Sequence, residues 1–285
     1  MRWLLLDIVR AFNNVYSGWI AWNLFLAAIP LLLSFVLFRR QTLAKRWFLP
    51  ACVLTGAIGV LGLGPRVPRV IYGLANLARA NASGGLFSWL ELLWLLVITA
   101  LATLLSLGIF KTKRDSQGWL WWVGLVVFLI FLPNAPYVLT DIIHLIRGTS
   151  SGQVRILVVA LVFIPIHAVA ILLGFEAYVV SILNLVHYLK QSGAKTMVLP
   201  LELTIHALSA VGIYLGRFLR FNSWDLVLAP TSVLVDTLDA LTSRRPAAVI
   251  LVTFLILASL YWVMKQITLG LVLRFRYARQ GIDVV

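Results

Sequence analysis

The chain reads as an all-α bundle of transmembrane helices, with about seven spans and a range of six to eight, and three observations predict it. Apolar residues make up 61% of 285 positions and charged residues only 12%, giving a mean hydropathy of +0.97. The apolar residues gather in runs long enough to cross a hydrocarbon layer about 30 Å thick. Those runs lack the alternation of transmembrane strands, which excludes a β-barrel. One such run would suit the core of a soluble protein; six or seven leave too little polar surface to cover it.

The spans follow in order. The first covers residues 19–38 and is followed by Arg39, Arg40, Lys45 and Arg46. The second, 47–64, carries Pro50 and the small residues Gly56, Gly59 and Gly62, which permit close helix approach. Residues 65–86 mix Arg66, Arg69 and Arg79 with apolar positions and predict a surface helix and loop; the sequon at Asn81 is too short to imply glycosylation. The third span is 86–110. The fourth opens on Trp119, Trp121 and Trp122 and stays apolar to Leu132, where Pro133-Asn134-Ala135-Pro136 intervenes. That stretch is too short to cross by itself, so the helix either includes the prolines or stops at a break near one membrane surface. The fifth runs from Arg155 to Phe175, with an amphipathic stretch to Lys190 able to extend it as one helix. The sixth is 197–214 and the seventh 247–273, ahead of Arg274, Arg276 and Arg279. The expected organisation is an amphipathic N-terminal segment over 1–18, one transmembrane domain over 19–273 and a basic tail over 274–285. Asp7 and Arg10 within MRWLLLDIVRAFNN, with no small-residue cleavage site, argue against a removable signal peptide.

The net charge of +14, from 24 basic and 10 acidic residues, would suggest nucleic acid in a soluble domain. Here most basic residues flank spans, where anionic headgroups are their partners. With no zinc spacing and no RNA-binding aromatic pattern, nucleic acid is not an expected partner; membrane lipids are. Cys52, the sole cysteine, forms no intrachain disulfide. Phosphate-cradling loops, dinucleotide fingerprints, HExxH and serine elbows are absent from the sequence. Alternating crossings leave the basic residues almost evenly divided between the two faces, so either orientation stays open; the tight clusters after the first and third spans favour their face as cytoplasmic and the opposite face as outside.

Three polar motifs fall on that opposite face. Trp22-Asn23 lies near the start of the first span, FLPNAPYVLTDIIH at 131–144 follows the fourth and GRFLRFNSWD at 216–225 follows the sixth. Two crossings separate the last two, so they share a membrane level whichever way the protein sits. In the second motif Asn134 can satisfy backbone groups freed by the prolines, and Asp141 and His144, three apart, share a helical face. A carboxylate and an imidazole so placed suit acid–base work or a divalent metal, although two ligands do not make a site and a helix cap with an interfacial histidine is the blander alternative. In the third motif Arg217 and Arg220 offer donor forks for carboxylate or phosphate, Asn222 can end a helix, and Asp225 can neutralise an arginine or add a carboxylate. Snorkelling arginines beside an anchoring Trp224 are the interfacial alternative.

Other polar groups lie deeper. His167 and His206 read as neutral histidines bonded across helices, with haem or a proton path as the rarer use. Glu176, Glu202 and Lys265 are too costly to face lipid unpaired, and Glu202 and His206, four apart, form a compact pair.

The segments AWNLFLAAIPLLLS, FLPNAPYVLTDIIHL and GIYLGRFLRFNSWD resemble the signature segments of the bacterial family called domain of unknown function 1361. The resemblance covers most of residues 20–275 and implies a multi-spanning protein of the bacterial inner membrane, with no activity attached. It carries over as motif positions Asn23, Asn134, Pro136, Tyr137, Thr140, Asp141, His144, Gly216, Arg217, Arg220, Asn222, Trp224 and Asp225.

The leading expectation is a pocket for an anionic headgroup or polyprenyl-phosphate-like lipid. Asn23, Asn134, Tyr137, Arg217, Arg220 and Asn222 would bind it, and Asp141, His144 and Asp225 would supply acid–base chemistry, or a divalent metal at Asp141 and His144. A transporter would instead need Glu176, Glu202, His167, His206 or Lys265 along one polar route, and an assembly protein would pack the motifs with no cleft.

Overall fold

The computed structural model describes residues 18–39, 45–68, 71, 72, 75, 118–150, 155–221 and 230–282. Within them all regular structure is helical, with no strand. The expected third span at 86–110, the N-terminal segment up to residue 17, the sequon, Asn222, Trp224 and Asp225 lie outside the described residues.

Helix α1, Trp19–Phe38, has 20 residues and Pro30 inside it. At 1.5 Å per residue it spans about 30 Å, one hydrocarbon thickness. It lies centrally, against α2 (Lys45–Leu63), α3 (Trp119–Phe131) and α7 (Ile164–Gln191). Small residues make the approach to α2 possible: a side chain on Gly62 would come 2.5 Å from the backbone nitrogen of Trp22, and one on Gly59 would strike the Phe25 ring. Gly56, expected to act similarly, has open space around it.

After α3 the chain takes a turn at Leu132 and Pro133, then α4 (Asn134–Tyr137), a 3-10 turn (Val138–Asp141) and α5 (Ile142–Ser150). Of the two outcomes foreseen for the proline segment, the structure takes the first: the span runs on through the prolines as Trp119–Ile146, 28 residues. The local reason is visible in the hydrogen bonds. The amide of Ala135 turns to the carbonyl of Leu132 at 3.1 Å, and Asn134 Nδ2 donates to the carbonyl of Phe131 at 3.0 Å. A side-chain amide thus substitutes for a backbone donor where the helix is interrupted.

A short helix α6 (Ile156–Val158) passes through a π-turn (Val159–Phe163) into α7, giving one 36-residue span, Ile156–Gln191. Pro165 lies just beyond the π-turn and has no amide to continue the regular ladder. The extension of the fifth span toward Lys190 is therefore real. Helix α8 (Val198–Arg217) follows, then α9 (Pro230–Thr242) and α10 (Arg244–Arg279). The sequence reading placed no element over 230–242. Val233 and Ala240 of α9 are nevertheless buried, seven residues apart on one helical face. Helix α10 continues unbroken through Arg274 and Arg276, with Gly281 in the left-handed region (φ 72°) ending it.

Among the described residues five segments are long and apolar enough to cross a membrane: α1, Trp119–Ile146, Ile156–Gln191, Lys195–Arg217 and α10. The stretch expected as a second span is a shorter apolar helix, Phe48–Leu63. The fold is thus a polytopic helical membrane bundle, with five such spans rather than the expected seven on view. Its main core runs through Ala27, Phe128, Tyr178, Ile182, Ala210 and Leu257.

Candidate functional site

The proline-broken segment sits between two helices that meet it through glycine. On α7, a side chain at Gly174 would come 2.9 Å from Val138 Cγ2. On α8, one at Gly212 would come 2.9 Å from Pro133, and one at Gly216 would come 3.1 Å from the Tyr137 ring. These approaches bring the 131–144 segment against Gly216 and Arg217, the described start of the third motif.

Their meeting point is Asp141, only 2% exposed. Arg217 Nη2 donates to Asp141 Oδ1 at 2.8 Å, and Asn23 Nδ2 donates to Asp141 Oδ2 at 2.7 Å. Arg217 also donates through Nε to Thr140 Oγ1 at 2.9 Å, with Nη2 bonding the same oxygen. The Thr140 hydroxyl in turn donates to the carbonyl of Tyr137 at 2.6 Å. Arg217 Nη1 lies 3.3 Å from His144 Nε2. Since the guanidinium can only donate, Nε2 accepts and the neutral ring carries its proton on Nδ1. The guanidinium lies 4.4 Å from the centre of the Tyr137 ring, a cation–π contact. His144 packs on Trp19 at 4.3 Å between ring centres, and His167 packs on it at 5.4 Å.

Four expected site residues therefore converge: Asn23, Asp141, His144 and Arg217. Their arrangement differs from the one anticipated. Arg217 is turned inward and shared between Asp141 and His144. Among the described residues no three histidine, cysteine or acidic side chains gather as metal ligands. A buried ion pair of this kind is recovered only when every lone pair is met; removing one partner costs about 3–5 kcal/mol.

Arg220 behaves differently from Arg217 because α8 ends between them. The amide of Phe218 makes the last regular bond, to Tyr214 at 2.9 Å, and the amide of Phe221 turns back to Leu215 at 3.1 Å. That reversal puts Arg220 at φ 62°, a left-handed conformation costing a non-glycine residue about 1–2 kcal/mol. It is exposed and has no partner among the described residues.

Beside the network is a cavity of about 630 Å³. Its polar lining includes Asn23, Asn134, Tyr137 and Arg220; Trp22, Leu26, Leu208, Val211 and Val233 contribute apolar wall. Arg220 is the only charged side chain lining it among the described residues. Neither Asp141, His144 nor Arg217 lines it; they stand behind Asn23 and Tyr137. No sequence pattern announced the cavity, or Thr140 as the residue that holds Arg217; Thr140 appeared only as a motif position.

The deeper polar groups each find polar partners within the bundle. Lys265 Nζ and the Tyr261 hydroxyl both reach Glu202 Oε1 at 2.6 Å. The Tyr178 hydroxyl lies 2.8 Å from His206 Nδ1, Thr268 donates to Glu176 at 2.8 Å, and His167 Nδ1 meets the carbonyl of Phe163 at 2.7 Å. The pair expected between Glu202 and His206 is thus replaced by bonds to α10 and α7.

No curated protein and no solved structure matches the chain. The family described as "Protein of unknown function (DUF1361)" matches residues 93–259, which include the Pro133–His144 segment and GRFLRFNSWD but leave the Asn23 segment outside. That match extends over more than half of the 285 residues, and the chain belongs to this family.

Proposed function

We propose that the protein binds an anionic amphiphile, a lipid or polyprenyl-phosphate-like molecule, in the cavity between α1, the proline-broken segment and α8. One observation carries the reading: an apolar-walled cavity in which Arg220, held in a strained backbone, is the only charge and has no partner among the described residues. Its volume, about 630 Å³, lies in the range of small-ligand sites. An exposed guanidinium supplies the fork that phosphate takes bidentately. Strain at a non-glycine position is retained where the side chain serves a purpose a glycine would not.

In this reading Asp141, His144 and Arg217 act indirectly, fixing Asn23 and Tyr137 in the cavity wall; Asn222, expected to bind the ligand, and Asp225, expected to supply acid–base chemistry, lie outside the described residues. The protein sits in the bacterial inner membrane with the cavity on the extracytoplasmic face, residues 47–64 and 86–110 supplying the remaining two of seven crossings.

The test is Arg220→Gly, which removes the charge and relieves the backbone. A short polyprenyl phosphate should bind the purified protein at least about tenfold more weakly, equivalent to about 1.4 kcal/mol. The uncharged polyprenol should be unaffected. Equal binding of the phosphate by both proteins would overturn the reading.

A further inference from the structure

Within the cavity just described, we infer that the preferred occupant is a lipid whose headgroup carries a free hydroxyl beside its phosphate, as a glycerol headgroup does; this rests on the anionic-amphiphile reading. The argument is a count of donors and acceptors around Asn23. The Asp141 carboxylate, paired with Arg217 at 2.8 Å, can only accept. The Asn23 amide must therefore present its NH₂ to it, as the 2.7 Å bond from Nδ2 shows. The acceptor-only carboxylate fixes this amide's direction. Its carbonyl oxygen, in the same plane but directed away from that bond, receives no donor among the described residues, while Asn23 itself lines the cavity. Tyr137, also lining it, directs its hydroxyl hydrogen to the carbonyl of Gly216 at 3.5 Å, which leaves its oxygen able to accept.

The cavity thus offers a cation at Arg220 and acceptors at Asn23 and Tyr137. A phosphodiester satisfies the cation but has no proton left to donate at neutral pH, and a monoester is mostly in the dianionic, acceptor-only form. The acceptors call for a second group that donates. An ammonium would donate, but it would meet Arg220 with no acidic side chain lining the cavity among the described residues. A neutral hydroxyl satisfies the acceptors without that repulsion. Sites built to bond a hydroxyl discriminate strongly against analogues lacking one, because the buried acceptor is then left unmet. The Asp141–Arg217 pair is in this sense a positioning device: it holds Asn23 so that an acceptor faces the ligand.

The experiment compares phosphatidylglycerol with phosphatidylethanol, which has the same phosphodiester charge and no free hydroxyl, on the purified full chain in detergent by native mass spectrometry. The wild type should bind phosphatidylglycerol at least about tenfold more tightly. Asn23→Ala should lower phosphatidylglycerol to the level of phosphatidylethanol. Arg220→Gly should weaken both by a similar factor and preserve their ratio. Equal affinity of the wild type for the two lipids overturns the hydroxyl inference while leaving anion binding intact, whereas no Arg220-dependent binding of either removes the reading beneath it. Phosphatidylethanolamine binding as tightly as phosphatidylglycerol would also overturn it. So would glycerol 3-phosphate displacing the lipid at comparable concentration, because the ligand would then be a soluble phosphate. The wild-type comparison stands even where Asn23→Ala fails to accumulate.

Discussion

Arg217 and Arg220 are three residues apart and carry the same charge, yet they have opposite fates. Arg217 closes α8 and is spent on Asp141, Thr140 and His144; Arg220, past the helix end, has no partner among the described residues and borders the cavity. Substitutions should separate them. Arg217→Ala strands the Asp141 carboxylate, and thermal unfolding in detergent should show a loss of about 3–5 kcal/mol. An unchanged melting temperature would mean the ion pair adds nothing. Arg220→Gly should melt at the same temperature or higher, because glycine adopts φ 62° without the roughly 1–2 kcal/mol penalty. A fall of several degrees would show that Arg220 is structural. The motif residues were legible in the sequence, since polar side chains in an apolar chain stand out. Which arginine faces the carboxylate was not, because that depends on where the helix stops.

At the level of elements, the proline break and its glycine contacts decide whether the cavity exists. Two features could be read in advance: the interruption itself, and Asn134 as the group that would satisfy the freed backbone. The partners of the break could not be, since Gly174 and Gly212 are ordinary positions in apolar runs until another helix arrives. Gly212→Val should push Pro133 away, starting from a 2.9 Å approach, and cost about 1–3 kcal/mol of stability with loss of ligand binding. A variant of native stability and native binding would show that α8 can slide without consequence. A comparable test applies where α8 meets α10. Lys265→Met leaves Glu202 uncompensated except by Tyr261, and should destabilise by about 1–3 kcal/mol, the pair being partly accessible. The double variant Glu202→Gln with Lys265→Met should lose less than Lys265→Met alone. If the losses simply add, the two side chains are not energetically coupled.

For the molecule as a whole, the reading predicts that the two ends of Lys195–Arg217 emerge on opposite sides of the membrane; its 23 residues span about 34 Å. In a Cys52→Ser background, Leu219→Cys should react with an impermeant thiol reagent in intact cells, and Gln191→Cys only after the membrane is opened. Both positions are exposed, so silence at either would not come from burial. Labelling of both from one side would dismantle the arrangement of spans. The amino-acid sequence by itself determined the class of fold, the solvent it occupies and the polar segments that matter, because hydrophobic length and the cost of charge in lipid are properties of a chain read one residue at a time. Only the tertiary structure decided that Asp141 is locked by Asn23 and Arg217, that Glu202 answers Lys265 instead of His206, and that a cavity opens beside Arg220. Those outcomes depend on which helices touch and where each one ends, and a polar side chain in an apolar surrounding takes whichever partner the packing brings within bonding distance.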